Sequence, residues 1–101
     1  MIRVVWLDQA KDDLRSIRRM IATHNRRAAR QYIGEILDSI KILRQFPEGG
    51  ARWDDTYRTL AIRNHMLFYR YSRNQDKVTV VSVIDGRRDL EAIVGPATAK
   101  R

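Results

Sequence analysis

A chain of 101 residues with no cysteine and no apolar run of bilayer length excludes a disulfide scaffold, a cysteine-bound metal and a membrane-spanning helix. Its length and 44% hydrophobic content suit one domain, residues 1–101, with a modest core, and its composition suits a reducing cytoplasm. The net charge of +8, with sixteen arginines against four lysines, either belongs to a solvated basic surface or calls for a polyanionic partner: nucleic acid, an acidic protein segment, or both in turn.

The first segment, IRVVWL at 2–7, is short, β-branched and aromatic, and predicts a strand. It turns acidic too soon to be a signal peptide. Trp6 reads as core packing. Asp8 is placed to cap a helix, whose apolar stripe is Ala10, Leu14, Ile17 and Ile21. Asp12 and Asp13 near its start and Arg18 and Arg19 near its end suit the helix dipole.

Thr23-His24-Asn25 breaks the pattern. A second helix follows from about Arg26, with Ala29, Ile33, Ile36, Ile40 and Leu43 as its stripe and Tyr32, Leu37 and Phe46 widening it. Two amphipathic helices with so short a break predict an antiparallel hairpin. Arg26, Arg27 and Arg30 lie at the wrong end of the second helix for its dipole, so something other than local helix stability put them there. Arg15, Arg18, Arg19 and these three read as a solvated face that would steer the chain toward an acidic or DNA-bearing partner.

Pro47 ends the second helix, and PEGGARWDD reads as a loop. Strands are predicted at 57–62, 66–72 and 77–84, joined by Asn64-His65 and by Arg73–Asp76, as an antiparallel meander. Residues 87–93 suit a last helical turn. The order is β-α-α-β-β-β. The expected fold is α+β: an antiparallel sheet with a helical hairpin on one face and a short C-terminal helix.

Several stretches, in this order and spacing, carry a family likeness. They are Trp6 before Ala10-x-x-Asp13-Leu14, Ala28-Ala29, LRQFPEGG, YRTLAIRNHMLFYRY and VTVVSVIDGRRDL. Together they resemble the RelE/ParE toxin superfamily of type II toxin–antitoxin modules, over nearly the whole chain. The resemblance implies a cytoplasmic growth inhibitor held silent by a cognate antitoxin, ParD-like, whose acidic C-terminal segment wraps it in a higher-order hetero-oligomer. RelE-type members resemble ribosome-dependent endoribonucleases that cut messenger RNA. ParE-type members are associated with plasmid stabilisation and inhibit DNA gyrase without chemistry of their own. No cofactor, metal or membrane is implied.

The residues lean toward the ParE side. Metal-free RNA cleavage needs a base for the 2′-hydroxyl, cations for the phosphorane and an acid for the leaving oxygen. A RelE-like reading would use Arg58, Arg63, His65, Tyr69 and Arg70. Residues 49 to 70 offer cations but no lysine, and no tyrosine or histidine follows Tyr71. His65, taken to lie in the turn, reads as solvated rather than catalytic.

The last strand runs into Asp85-Gly86-Arg87-Arg88-Asp89, similar to a ParE-type His-x-Arg-Arg-Asp ending, with Asp85 where histidine is common. Arg87, Arg88 and Asp89 are therefore the target-binding candidates, an ordinary salt bridge closing the turn being the alternative. Arg58 and Arg70 are antitoxin-binding candidates, because alternation aims one or both off the helix-covered face. Trp53 either covers the sheet edge or contacts the partner. A third reading is an inert relative that only binds its antitoxin.

Overall fold

The computed structural model describes residues 1–85. Seven elements follow one another: β1 (Arg3–Trp6), α1 (Asp8–Ala22), α2 (Arg26–Gln45), β2 (Ala51–Arg52), β3 (Tyr57–Ile62), β4 (His65–Ser72) and β5 (Lys77–Asp85). They form an α+β fold with one five-stranded sheet in the order β1-β5-β4-β3-β2. The terminal helix expected at 87–93 lies outside the described residues.

The helical stripes become the core. Ala10 and Ile17 of α1 and Ala29, Tyr32, Ile36, Ile40 and Leu43 of α2 are buried. Ala10, Ile17, Tyr32, Ile36, Ile40 and Leu43 pack against Leu67, Tyr69, Val78, Val80 and Val83 on one face of the sheet, with Val4 and Trp6 of β1 at the margin. Asn25 makes the break between the helices: its side-chain oxygen accepts from the Ala28 backbone N–H at 3.0 Å, capping α2. Asp8 does not cap α1. It is the first helical residue, after Leu7 in extended conformation, and lends its charge to the first turn instead.

The sheet is mixed rather than wholly antiparallel. β3, β4 and β5 form the expected meander, but β1 pairs parallel to β5, Val4 opposite Val78 and Trp6 opposite Val80. Parallel neighbours need a long crossover, and the helical hairpin is the main part of it. A hydrophobic run reveals which face a strand buries but not its direction, so the pattern could not distinguish the two.

The stretch read as a loop after Pro47 contains β2, whose two residues pair with Arg58 and Thr59. The strand is short because Asp54 turns the chain straight back: its carboxylate accepts from the Thr56 and Tyr57 amides, both at 2.8 Å. So short and exposed an edge offers little template for unwanted pairing.

One irregularity fixes α1 to the sheet. Between Phe68 and Tyr69 the β4–β5 register slips by a bulge. The Asp13 carboxylate accepts there from the Ser82 hydroxyl at 2.7 Å and from the Val83 amide at 3.0 Å. Gln9 donates to its other oxygen at 2.8 Å. The Ala10-x-x-Asp13 spacing thus sets a buried alanine against the sheet and, one turn on, a carboxylate over the bulge.

Candidate functional site

Strand alternation divides the candidate residues between two faces. On the helix-covered face, Arg58 and Tyr69 are cross-strand partners, and four residues along β3 Ile62 partners His65. On the open face, Tyr57 partners Arg70, and Phe68 stands between Thr59 and Ser82. The five residues of the nuclease reading are therefore split three ways.

Arg58 and Tyr69 lie against the Pro47–Gly50 turn. Tyr69 is fully buried; its hydroxyl donates to the Pro47 carbonyl at 3.0 Å and accepts from the Gly50 amide at 2.9 Å. Arg58 donates through Nη1 to the carbonyls of Glu48 and Gly50, each at 3.0 Å. Gly50 needs to be glycine: a Cβ would come within 2.6 Å of the Tyr69 hydroxyl and 2.7 Å of the Thr59 carbonyl. Burial pushes the Tyr69 phenol above its ordinary pKa. This pair is built into the fold, and the phenol is committed at both its donor and acceptor positions.

His65 and Arg63 belong to a second cluster, about 13 Å along the hairpin at strand rise. His65 is not in the turn and not solvated. It opens β4, is buried, and its Nδ1 lies 2.6 Å from the Tyr32 hydroxyl. That hydroxyl also lies 3.1 Å from the Ile62 carbonyl. The carbonyl can only accept, so the phenol donates to Ile62 and His65 Nδ1–H donates to the phenol oxygen. Burial holds the His65 pKa below its ordinary value, opposed by the Asp85 carboxylate across the strand pair. Burial likewise raises the Tyr32 phenol.

Arg63 stands in the two-residue turn before His65, with a left-handed φ of 53°. It pairs with Glu35 side-on, Nε and Nη2 each donating to one carboxylate oxygen at 2.8 Å, and lies 5.6 Å over the Tyr32 ring. The turn's strain, about 1 kcal/mol for a non-glycine residue, is offset by these contacts.

In the sequence, Tyr32 stands only as part of an apolar stripe, and nothing marks Glu35. A phenol inside such a stripe is itself a signal, since buried tyrosine hydroxyls need a partner.

The open face is different in character. Met66, Phe68 and Ile84 form its buried centre, with Trp53, Tyr57 and Val81 packed at the edges. Tyr57 and Phe68 stack with ring centroids 4.8 Å apart. Arg70 stands beside this aromatic pair, half-buried and without an ion pair among the described residues. Of Arg58 and Arg70, one or both of them expected to face away from the helices, Arg70 does and Arg58 does not. Arg87, Arg88 and Asp89 lie outside the described residues. Among the described residues, no cluster of three His, Asp or Glu could hold a metal ion, and no helix is long and apolar enough to cross a membrane.

Residues 4–90 match the family described as the ParE toxin of the type II toxin–antitoxin system, parDE. The chain belongs to the ParE toxin family. A search of curated protein sequences finds no match. Among solved structures, a chain of the chromosomal ParDE toxin–antitoxin system from P. aeruginosa superposes with a TM-score of 0.73 at 18% identity, over 86% of this chain and 98% of that one. At that identity the likeness concerns the fold. The family match takes in all of this ParE toxin's elements except the first residue of β1, so both the Tyr69–Arg58 turn and the open face belong to the shared domain.

Proposed function

We propose that this ParE-family toxin inhibits DNA gyrase by binding it, with no bond made or broken by the toxin itself, and that a ParD-like antitoxin silences it. The observation that carries the non-catalytic reading is the dispersal of the nuclease set. Tyr69 and Arg58 are bound to the Pro47–Gly50 turn, His65 and Arg63 to α2, and Arg70 stands alone on the opposite face. An acid, a base and a phosphate clamp need to converge within hydrogen-bond reach of one scissile bond. Arg87, Arg88 and Asp89 remain the target-contact candidates of this reading.

The antitoxin is read as lying across the open face and the far end of α2. Arg70 gives its acidic segment an unpaired guanidinium beside aromatic rings. Ile42 and Phe46, one helical turn apart and 56% and 61% exposed, give its apolar side chains a ledge. Beside Phe46 a hollow of about 410 Å³, bounded also by Pro47 and Tyr71, suits one anchoring side chain.

The test is induction of the chain in growing cells while DNA and messenger RNA are followed together. Broken chromosomes with intact messages are expected. Messages cut at ribosomes with unbroken DNA would replace this reading with the RelE-like one.

A further inference from the structure

The helical hairpin carries a concentration of charge that neither the fold nor the antitoxin ledge uses. At its α1–α2 corner, Arg15, Arg18, Arg19, Arg26 and Arg30 surround a hollow of about 400 Å³. The spacing explains the convergence: positions 15, 18 and 19 share one face of α1, positions 26 and 30 share one face of α2, and the antiparallel pairing brings the faces together. The floor is Ala22 and Ala29, residues too small to fill the space between the helices.

Of these five guanidinium groups, only Arg15 has an ion pair among the described residues, with Asp12 at 2.8 Å. The first turn of α2 contains no acidic residue, although the helix dipole favours one there. Left alone, these cations repel one another, and Arg26 and Arg30 also oppose the dipole of α2. An anion seated among them reverses both effects.

We propose that this hollow is a binding site for the phosphate backbone of duplex DNA. Arginine forks pair with phosphate oxygens two at a time, and the array spans two helices rather than enclosing one small ion. A helical peptide seated in a groove needs apolar pockets for its anchors, and here the floor is alanine. The exposed Ile42 and Phe46 lie toward the other end of α2, a helix about 30 Å long at 1.5 Å per residue. The choice of duplex DNA rests on the gyrase reading, which brings the toxin to DNA held by its target. The site would add affinity for the DNA-bound enzyme without reading sequence.

The test measures the full-length chain binding a labelled duplex of about 20 base pairs, without gyrase, across a salt series. Arg18, Arg19, Arg26 and Arg30 are replaced together by alanine; a control variant replaces Arg3, Lys11, Lys41 and Arg44, removing the same charge elsewhere. Circular dichroism establishes that both are folded. The hollow variant is expected to bind at least tenfold more weakly near 100 mM salt, with the slope of log K against log salt reduced by about 3; the control should lose less than about threefold.

Equal losses in the two variants would overturn the proposal, since net charge alone would then explain binding. So would tighter binding of single-stranded RNA of the same length, or a hollow variant that keeps its DNA affinity while losing an acidic peptide. Because gyrase is absent, failure of the supercoiling reading leaves this measurement independent.

Discussion

Single residues show most clearly what this fold demands. Gly50 is confined by the Tyr69 hydroxyl and the Thr59 carbonyl, both closer than any Cβ tolerates. Gly50→Ala is expected to cost about 1–3 kcal/mol, by the usual magnitude of overpacking, read as a lowered urea midpoint with an unchanged slope. His65 gives a pH-dependent effect. Burial sets its folded pKa below the unfolded value, so its contribution is complete above about pH 6.5 and is lost as pH falls through the folded pKa. Urea midpoints of the wild type and His65→Asn should therefore converge as pH is lowered from about 7.5 to 5. The amide of asparagine keeps a donor for Tyr32 without a titrating ring. Neither demand was legible in the sequence. A Gly-Gly pair after proline announces a turn but not what approaches it, and a histidine beside asparagine resembles a turn until α2 is known to cover it.

The joints between elements rest on a few polar contacts. Asp13 holds α1 to the β4–β5 bulge through a hydroxyl and an amide, and Asp13→Ala leaves the Val83 N–H without its acceptor. A loss of about 2–3 kcal/mol is expected from a charge-assisted bond to a part-buried amide, with faster hydrogen exchange centred on Val83. In the β3–β4 turn two terms of similar size oppose each other. Arg63→Ala keeps the left-handed backbone and loses the Glu35 pair, so it should cost up to about 1 kcal/mol. Arg63→Gly loses the pair but relieves the backbone, and its thermal midpoint should fall close to that of wild type. Element identity was largely legible because the stripes of α1 and α2 and the β-branched run of β5 are periodic. The parallel pairing of β1 and the two-residue β2 were not, because both depend on partners distant in sequence.

At the scale of the molecule, the charge separates into distinct regions. One face of the sheet is sealed by helices; the other presents Arg70 among aromatic rings, and the hairpin corner concentrates arginine around a hollow. The family was legible because its motifs mark joints of the fold: Asp13 over the bulge and Gly50 under Tyr69. The arrangement of the candidate site was not, since which strand faces carry Arg58 and Arg70 depends on register. Arg70→Glu, which sets a like charge before the acidic segment proposed for the antitoxin, should weaken binding of the antitoxin's C-terminal peptide at least tenfold in calorimetry while the toxin stays folded. Inhibition of gyrase by binding is measured most directly in a purified supercoiling assay, with the chain titrated against gyrase and relaxed plasmid. Inhibition is expected to rise to saturation with toxin concentration and to be reversed by antitoxin. Unimpaired supercoiling at every toxin concentration would contradict it.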